Sequence, residues 1–274
     1  MGRVCPQVIQ ERRLAPSRSR SSAAARAEVP ATGYGEGGIL ALSEDWSPEL
    51  QKARVYEQIL LDIILGTLAP NARLDEQGLA RRYDAGLAGV RDALGRLALE
   101  GLVVRRPRAG TTVSPLDLIE LGHALEVRSL IEPHCAALAA AHATPDDLQA
   151  LEHAFDDGER ATRDNDCRAL VAMDQRFHAA MARASRNATL AKILIPLQHK
   201  AARYWVYSMG ADTEQERIAE IERHRVVARH IAAGDAEAAR LGTMRLLKIF
   251  PQTIRRAIRG GASETARSPL RPVR

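Results

Sequence analysis

The chain has 274 residues, 46% hydrophobic and 4% aromatic, with a formal net charge of +5, which is length enough for two modest domains with real cores. No apolar run approaches the ~18 residues of a membrane span, and the basic balance mildly favours anionic partners. Cys5, Cys135 and Cys167 lack C-x-x-C spacing, which argues against a disulfide scaffold or thiolate zinc site and fits a reducing cytoplasm.

Residues 1–47 include "RRLAPSRSRSSAAARAEVPATGYGEGG", rich in Ser, Arg, Pro and Gly without an apolar period. They read as a disordered basic arm carrying much of the net charge. Residues 259–274 read as a flexible basic tail.

Residues 48–114 hold three helical patterns and a hairpin. "VYEQILLDIILGTL" places Val55, Ile59 and Ile63 at helical spacing, with Gly66 as its stop. "PNARL" turns the chain into a short helix in "DEQGLARRYDA", with Leu79 and Ala80 inward and Arg81 and Arg82 outward. A third helix over about 87–100 buries Val90, Leu94, Leu97 and Ala98, and "EGLVVRRPRAGTTVS" follows as a basic β-hairpin. Three helices and a basic hairpin in under 70 residues is a winged helix-turn-helix arrangement. Arg91 on the third helix and Arg105, Arg106 and Arg108 in the hairpin are its candidate DNA-contacting cations, unless they form only a solvated face.

This segment resembles the DNA-binding domain of the GntR family of bacterial transcription regulators. The matching residues are Leu79-Ala80, Val90-Arg91-Asp92-Ala93-Leu94, Leu97, Glu100-Gly101-Leu102, and Arg108-Ala109-Gly110 in the wing. The resemblance implies binding to double-stranded operator DNA. The chain departs from the family at the start of the recognition helix. Where the family has Gly-Val-Ser-Arg-Thr-Pro, this chain has Asp84, Ala85, Gly86, Leu87, Ala88 and Gly89, and Gln77 stands where a contacting Arg is common. Gly86 offers no side-chain cap. Leu87 cannot pair with guanine or phosphate, although Leu87 or Ala88 suits a thymine methyl, which points to an altered operator or weaker binding.

Residues 115–258 are helical throughout in pattern and read as an antiparallel bundle of six or seven helices. "LDLIELGHALEVRSLIEPHCAALAAAHA" is one helix or two, with a kink point at Pro133, and "TPDDLQALEHAFDDGERATRDN" is one helix capped by Thr144 with Pro145 at its first position. Four polar residues fall on apolar stripes: Arg128 with Leu121, Leu125 and Cys135; Asp174 and His178 with Leu170, Phe177 and Met181; His224 with Ile221, Ala228 and Ile231. A charged residue on such a stripe needs a partner. Asp and His at i, i+4 plus a distant His is a reasonable ligand set for zinc or nickel. The plainer readings are core histidines, an intrahelical Asp174–His178 pair, and an Arg128–Glu132 pair at i, i+4.

The stretch from Glu126 to Leu247 resembles the FCD ligand-binding domain of the FadR subfamily. The matches are Arg128 and Glu132, then Asp174, His178 and Asn187, then His224 with Gly234-Asp235. Metal-binding members hold the ion with one Asp and three His, and the resemblance implies a small carboxylate effector. Asp174, His178 and His224 match; the third His falls near Leu246 and is absent, leaving three ligands. Arg128 suits the carboxylate, and Asn187 is expected near the cavity edge. The resemblance thus implies a cytoplasmic homodimeric regulator, expected to repress and to join the nucleoid when DNA-bound. The alternatives are a helical metal-dependent enzyme, against which the absent Glu-x-x-His pairs, nucleophile elbow and phosphate loop all speak, and a small-molecule sensor whose DNA binding has decayed.

Overall fold

The computed structural model describes residues 51–108, 110–209 and 212–249. The expected arm over 1–47, the tail over 259–274 and the last turns of the closing helix lie outside the described residues. Helix α1 (Gln51–Ile64) buries Val55, Tyr56, Ile59, Leu60, Ile63 and Ile64, a stripe two residues wide at each turn. Gly66 follows at φ 72°, the left-handed conformation that closes a helix. Helix α2 (Glu76–Arg82) starts at Asp75, whose carboxylate accepts the Gln77 and Gly78 N–H groups. Helix α3 (Leu87–Leu99) buries Val90, Ala93, Leu94 and Leu97. It ends in a Schellman motif: the Leu102 N–H reaches the Leu97 carbonyl and Gly101, at φ 76°, reaches Ala98.

Two strands form the expected hairpin, β2 (Val103–Arg106) and β3 (Gly110–Val113), paired antiparallel with Val103 opposite Val113. A third, β1 (Arg73–Leu74), adds to the far edge of β3, giving the order β1-β3-β2. It lies in "PNARL", which sequence reading treats as a turn. Two residues are too few to show an alternation, and the strand exists because β3 offers it a ladder.

The second half comprises α4 (Leu118–His142), α5 (Pro145–Glu152), a 3₁₀ turn (His153–Phe155), α6 (Gly158–Arg163), α7 (Cys167–Ala184), α8 (Ala188–Met209), α9 (Glu214–Ala232) and α10 over 236–249. Helix α4 runs through Pro133 as one element. Thr144 and Asp147 form the capping box of α5, with Pro145 at N1. The single helix expected over 144–165 is instead three short pieces. The break comes at Asp156-Asp157-Gly158, where packing decides the residue. A Cβ on Gly158 would stand 2.9 Å from Ile221 Cδ1, so α6 packs closely on α9 and a larger residue would push the Ile221 side chain aside.

The two halves share one continuous core, and α1 packs on α3 and also on α7 and α8. Two buried carboxylates join them. Asp62 on α1 accepts Arg82 Nη2 and the Tyr83 hydroxyl, each at 2.7 Å, and pairs with Arg168 of α7. Glu100, after α3, accepts the Tyr56 hydroxyl at 2.7 Å and Arg96 Nε at 3.1 Å, and lies 3.0 Å from His199 Nδ1 of α8. Buried charges persist only with such partners. The winged domain therefore rests on the bundle through packing and through fixed polar contacts.

Candidate functional site

The exposed face of the winged domain carries most of the sequence candidates. Gly86 is the N-cap of α3 with extended backbone and no side-chain acceptor; Leu87 and Ala88 open the helix and are exposed, and Arg91 follows one turn later on the same side. Gln77 is exposed on α2, Arg105 and Arg106 project from β2, and Arg108 occupies the turn at φ 63°. Gly110 takes φ 94°, and a Cβ there would stand 3.4 Å from Arg73 Nε, so the wing turn requires glycine.

Two of these cations share a carboxylate in the DNA-free chain. Arg91 Nε donates to Glu76 at 2.7 Å, and Arg105 Nη2 lies 3.7 Å from the other Glu76 oxygen. Glu76, in the first turn of α2, thus gathers the reading helix and the wing around one carboxylate. Sequence reading missed it because its partners lie fifteen residues on, in the next helix, and beyond that in β2. Both arginines are well exposed, so these ion pairs are worth at most about 1 kcal/mol and yield readily to a phosphate.

The second site lies inside the bundle. Arg128 of α4, Asp174 and His178 of α7, His224 of α9 and Leu246 of α10 line one small polar pocket between the helices. Apolar residues of α8, Ala201, Ala202 and Trp205, complete one wall. Asp174, His178 and His224 each offer a ligand atom, all within 4.8 Å of one another. Asp174 Oδ1 is 3.5 Å from His178 Nε2 and 3.6 Å from His224 Nε2. Tetrahedral ligands ~2.0–2.1 Å from an ion sit roughly 3.3 Å apart, so the donor set fits a zinc-sized ion with little movement. The far ring nitrogens fit as well. His224 Nδ1 lies 2.9 Å from the Glu220 carbonyl, the bond that leaves Nε2 with its lone pair facing Asp174. His178 Nδ1 lies 3.1 Å from Glu132 Oε1.

Electrostatics tie the cluster together. Burial favours the neutral carboxyl of Glu132, yet Arg128 and His178 outweigh it and hold the pKa down at about 2. Asp174 is likewise lowered, against its burial, by His178, His224 and Arg128. Burial opposes a charge on His178, but Asp174 and Glu132 overcome it and push the imidazole up to about 9.

The structure brings Arg128, Asp174, His178 and His224 into one cavity, as their stripes imply. Arg128 is not a free anchor: its Nε donates to Glu132 at 2.8 Å, the i, i+4 pair that was the plainer reading. Asn187 is a correction. It is exposed in the α7–α8 turn and caps α8 through the Leu190 N–H at 3.0 Å. It lies beyond the end of α7, nine residues past His178, and is not among the residues lining the pocket. Leu246 lines the cavity where the fourth ligand was sought, so the wall there is apolar. Gln198, whose amide donates to Glu132 Oε1 at 3.3 Å, was missed. Its only sequence signal is a polar residue within the apolar stretch of α8.

Comparisons with known proteins agree for both halves. The model of bacterial regulatory proteins of the gntR family matches residues 51–113, and the FCD domain model matches residues 123–248. The chain is 29% identical over 202 residues to the HTH-type transcriptional regulator LutR of Bacillus subtilis, covering 64% of this chain and 90% of LutR. It is 28% identical over 208 residues to a putative L-lactate dehydrogenase operon regulatory protein of Escherichia coli, covering 66% and 77%. In structure it is similar to E. coli McbR/YncC, with a TM-score of 0.66, 22% identity, and coverage of 76% of this chain and 98% of that one. These proteins are regulators, and none is described as an enzyme. Winged reading head, helical cavity domain and both family models lead to one conclusion: the chain belongs to the GntR family of DNA-binding bacterial transcription regulators and carries an FCD domain after its helix-turn-helix.

Proposed function

We propose that this regulator is a homodimeric repressor whose operator affinity is set by a small carboxylate bound in the cavity of the helical domain. Two winged domains related by a dyad would read a near-palindromic operator through the start of α3 and the β2–β3 wing. Asp174, His178 and His224 would hold a divalent ion such as zinc or nickel. A bound ion supplies Lewis-acid attraction for a carboxylate oxygen, and three protein ligands leave that position open. Arg128 stands beside it, already oriented by Glu132.

One observation carries the regulatory part. Consecutive residues of α8 face two different sites. Gln198 reaches into the cavity to Glu132, and His199 reaches out of the bundle to Glu100 at the end of the reading helix. Pro196 precedes them and lacks the N–H that would tie this turn of α8 to the one before. An anion entering beside Arg128 competes for the partners of Glu132, and any shift of Gln198 carries His199 and the end of α3 with it.

The test is fluorescence anisotropy on DNA flanking the protein's own gene, with and without zinc and a panel of small acids. Acid-dependent loss of affinity supports the reading. Sequence-specific binding indifferent to every acid and metal would remove the regulatory half.

A further inference from the structure

A second, smaller pocket adjoins the metal-type cluster, walled by Phe155, Leu170 and Ile221 and sharing Asp174, Trp205, Glu220 and His224 with the first. Arg217 of α9 lines this pocket. Its Nη1 is fixed by the carbonyls of Met209 and Asp212, at 3.3 and 2.7 Å, which lock the guanidinium in place. Its Nε is buried and has no hydrogen-bond partner among the described residues. Carbonyl acceptors do not neutralise the charge, and Arg217 forms no ion pair among the described residues. Glu220, which also lines the pocket, is held by Arg223 instead. A buried donor on a cation left without an acceptor is costly, and native structures keep few of them.

We propose that Arg217 receives a second anionic group of the ligand, so that the cavity selects a diacid whose two carboxylates are separated by a short apolar spacer. This rests on the carboxylate-effector reading above. One carboxylate goes to the end formed by Arg128, Asp174, His178 and His224. The spacer runs past Trp205 and His224, which line both pockets. The other carboxylate meets Arg217 Nε–H, whose direction is preset by the two carbonyls. Phe155, Leu170 and Ile221 give that contact an apolar surround. Arg217 is thus a specificity residue: a monoacid of equal length fills the same space but leaves the buried N–H unanswered.

The experiment is calorimetry on the full-length protein, with and without zinc, using acids paired by chain length: butyrate with succinate, valerate with glutarate, hexanoate with adipate. In at least one pair the diacid should bind about tenfold or more tighter, as expected for one charge-assisted bond to a buried donor. Arg217→Met should bring that pair to within about twofold while leaving the monoacid unchanged. Arg217→Lys, which keeps the cation and loses Nε, should fall between. The comparison within the wild type needs no variant, so a folding defect in Arg217→Met cannot hide the answer. Equal binding of mono- and diacids in every pair, or a diacid preference that survives Arg217→Met, overturns the assignment while leaving the carboxylate reading intact. Binding of neither series overturns both.

Discussion

His178 stands between two carboxylates, and that placement has a pH signature. Burial works against its charge, but Asp174 and Glu132 raise its pKa from near 6.5 to about 9. A raised folded-state value contributes stability that is fully present below the unfolded value and is lost as pH climbs through the folded one. The metal-free protein should therefore lose thermal stability between about pH 6.5 and 9, and His178→Gln should flatten that decline. A wild-type midpoint that stays level across this window contradicts the arrangement. Zinc affinity should run the other way, rising with pH over the same window, because an ion must displace the His178 proton. Leu246 faces the same space. Leu246→His should tighten zinc binding by roughly tenfold or more, read by competition with a chromogenic chelator. The ligand trio was legible because i, i+4 spacing and apolar stripes are local signals. Gln198 and Glu76 were not, since their roles come from partners 66 and 15 residues away, and Glu132 was legible as the partner of Arg128 but not of His178, 46 residues on.

At the level of elements, the start of α3 is the weak point of the reading head. No atom lies within 4 Å of a Cβ placed on Gly86, and its backbone already has N-cap geometry. Gly86→Ser should therefore stabilise the domain by up to about 1 kcal/mol, measured by chemical denaturation. Adding Leu87→Arg should strengthen binding to random duplex at low salt, with a steeper salt dependence. Unchanged affinity would mean that this helix end does not approach the groove. Helices with strong periodicity, α1 and α7, were legible before the fold was seen, and α9 was legible from Gly234, which closes it. The elements that escaped are those fixed by tertiary contact. Strand β1 is two residues long and exists only against β3. The break before α6 brings Gly158 against Ile221 on α9, sixty-three positions away.

Across the whole molecule, the claim is that one helix, α8, serves two sites. Gln198→Leu keeps the volume and removes the amide that reaches Glu132. The variant should still bind acid, but the ratio of DNA affinities with and without acid should shrink by about threefold or more. An unchanged ratio places the coupling elsewhere. His199→Ala should act similarly and also destabilise the fold by about 1–3 kcal/mol, since Glu100 loses a buried partner. The central claim, however, is recognition of an operator by the α3 start and the wing. Footprinting of the DNA flanking the protein's own gene tests it most directly, with wild type beside Arg91→Ala and Arg108→Ala. The account predicts a protected, near-palindromic site for the wild type. Arg91→Ala should lose about tenfold or more in affinity, and Arg108→Ala should bind more weakly with a shallower salt dependence. Protection no stronger than on random duplex at the same salt, or a footprint that both variants reproduce at wild-type concentrations, would contradict it.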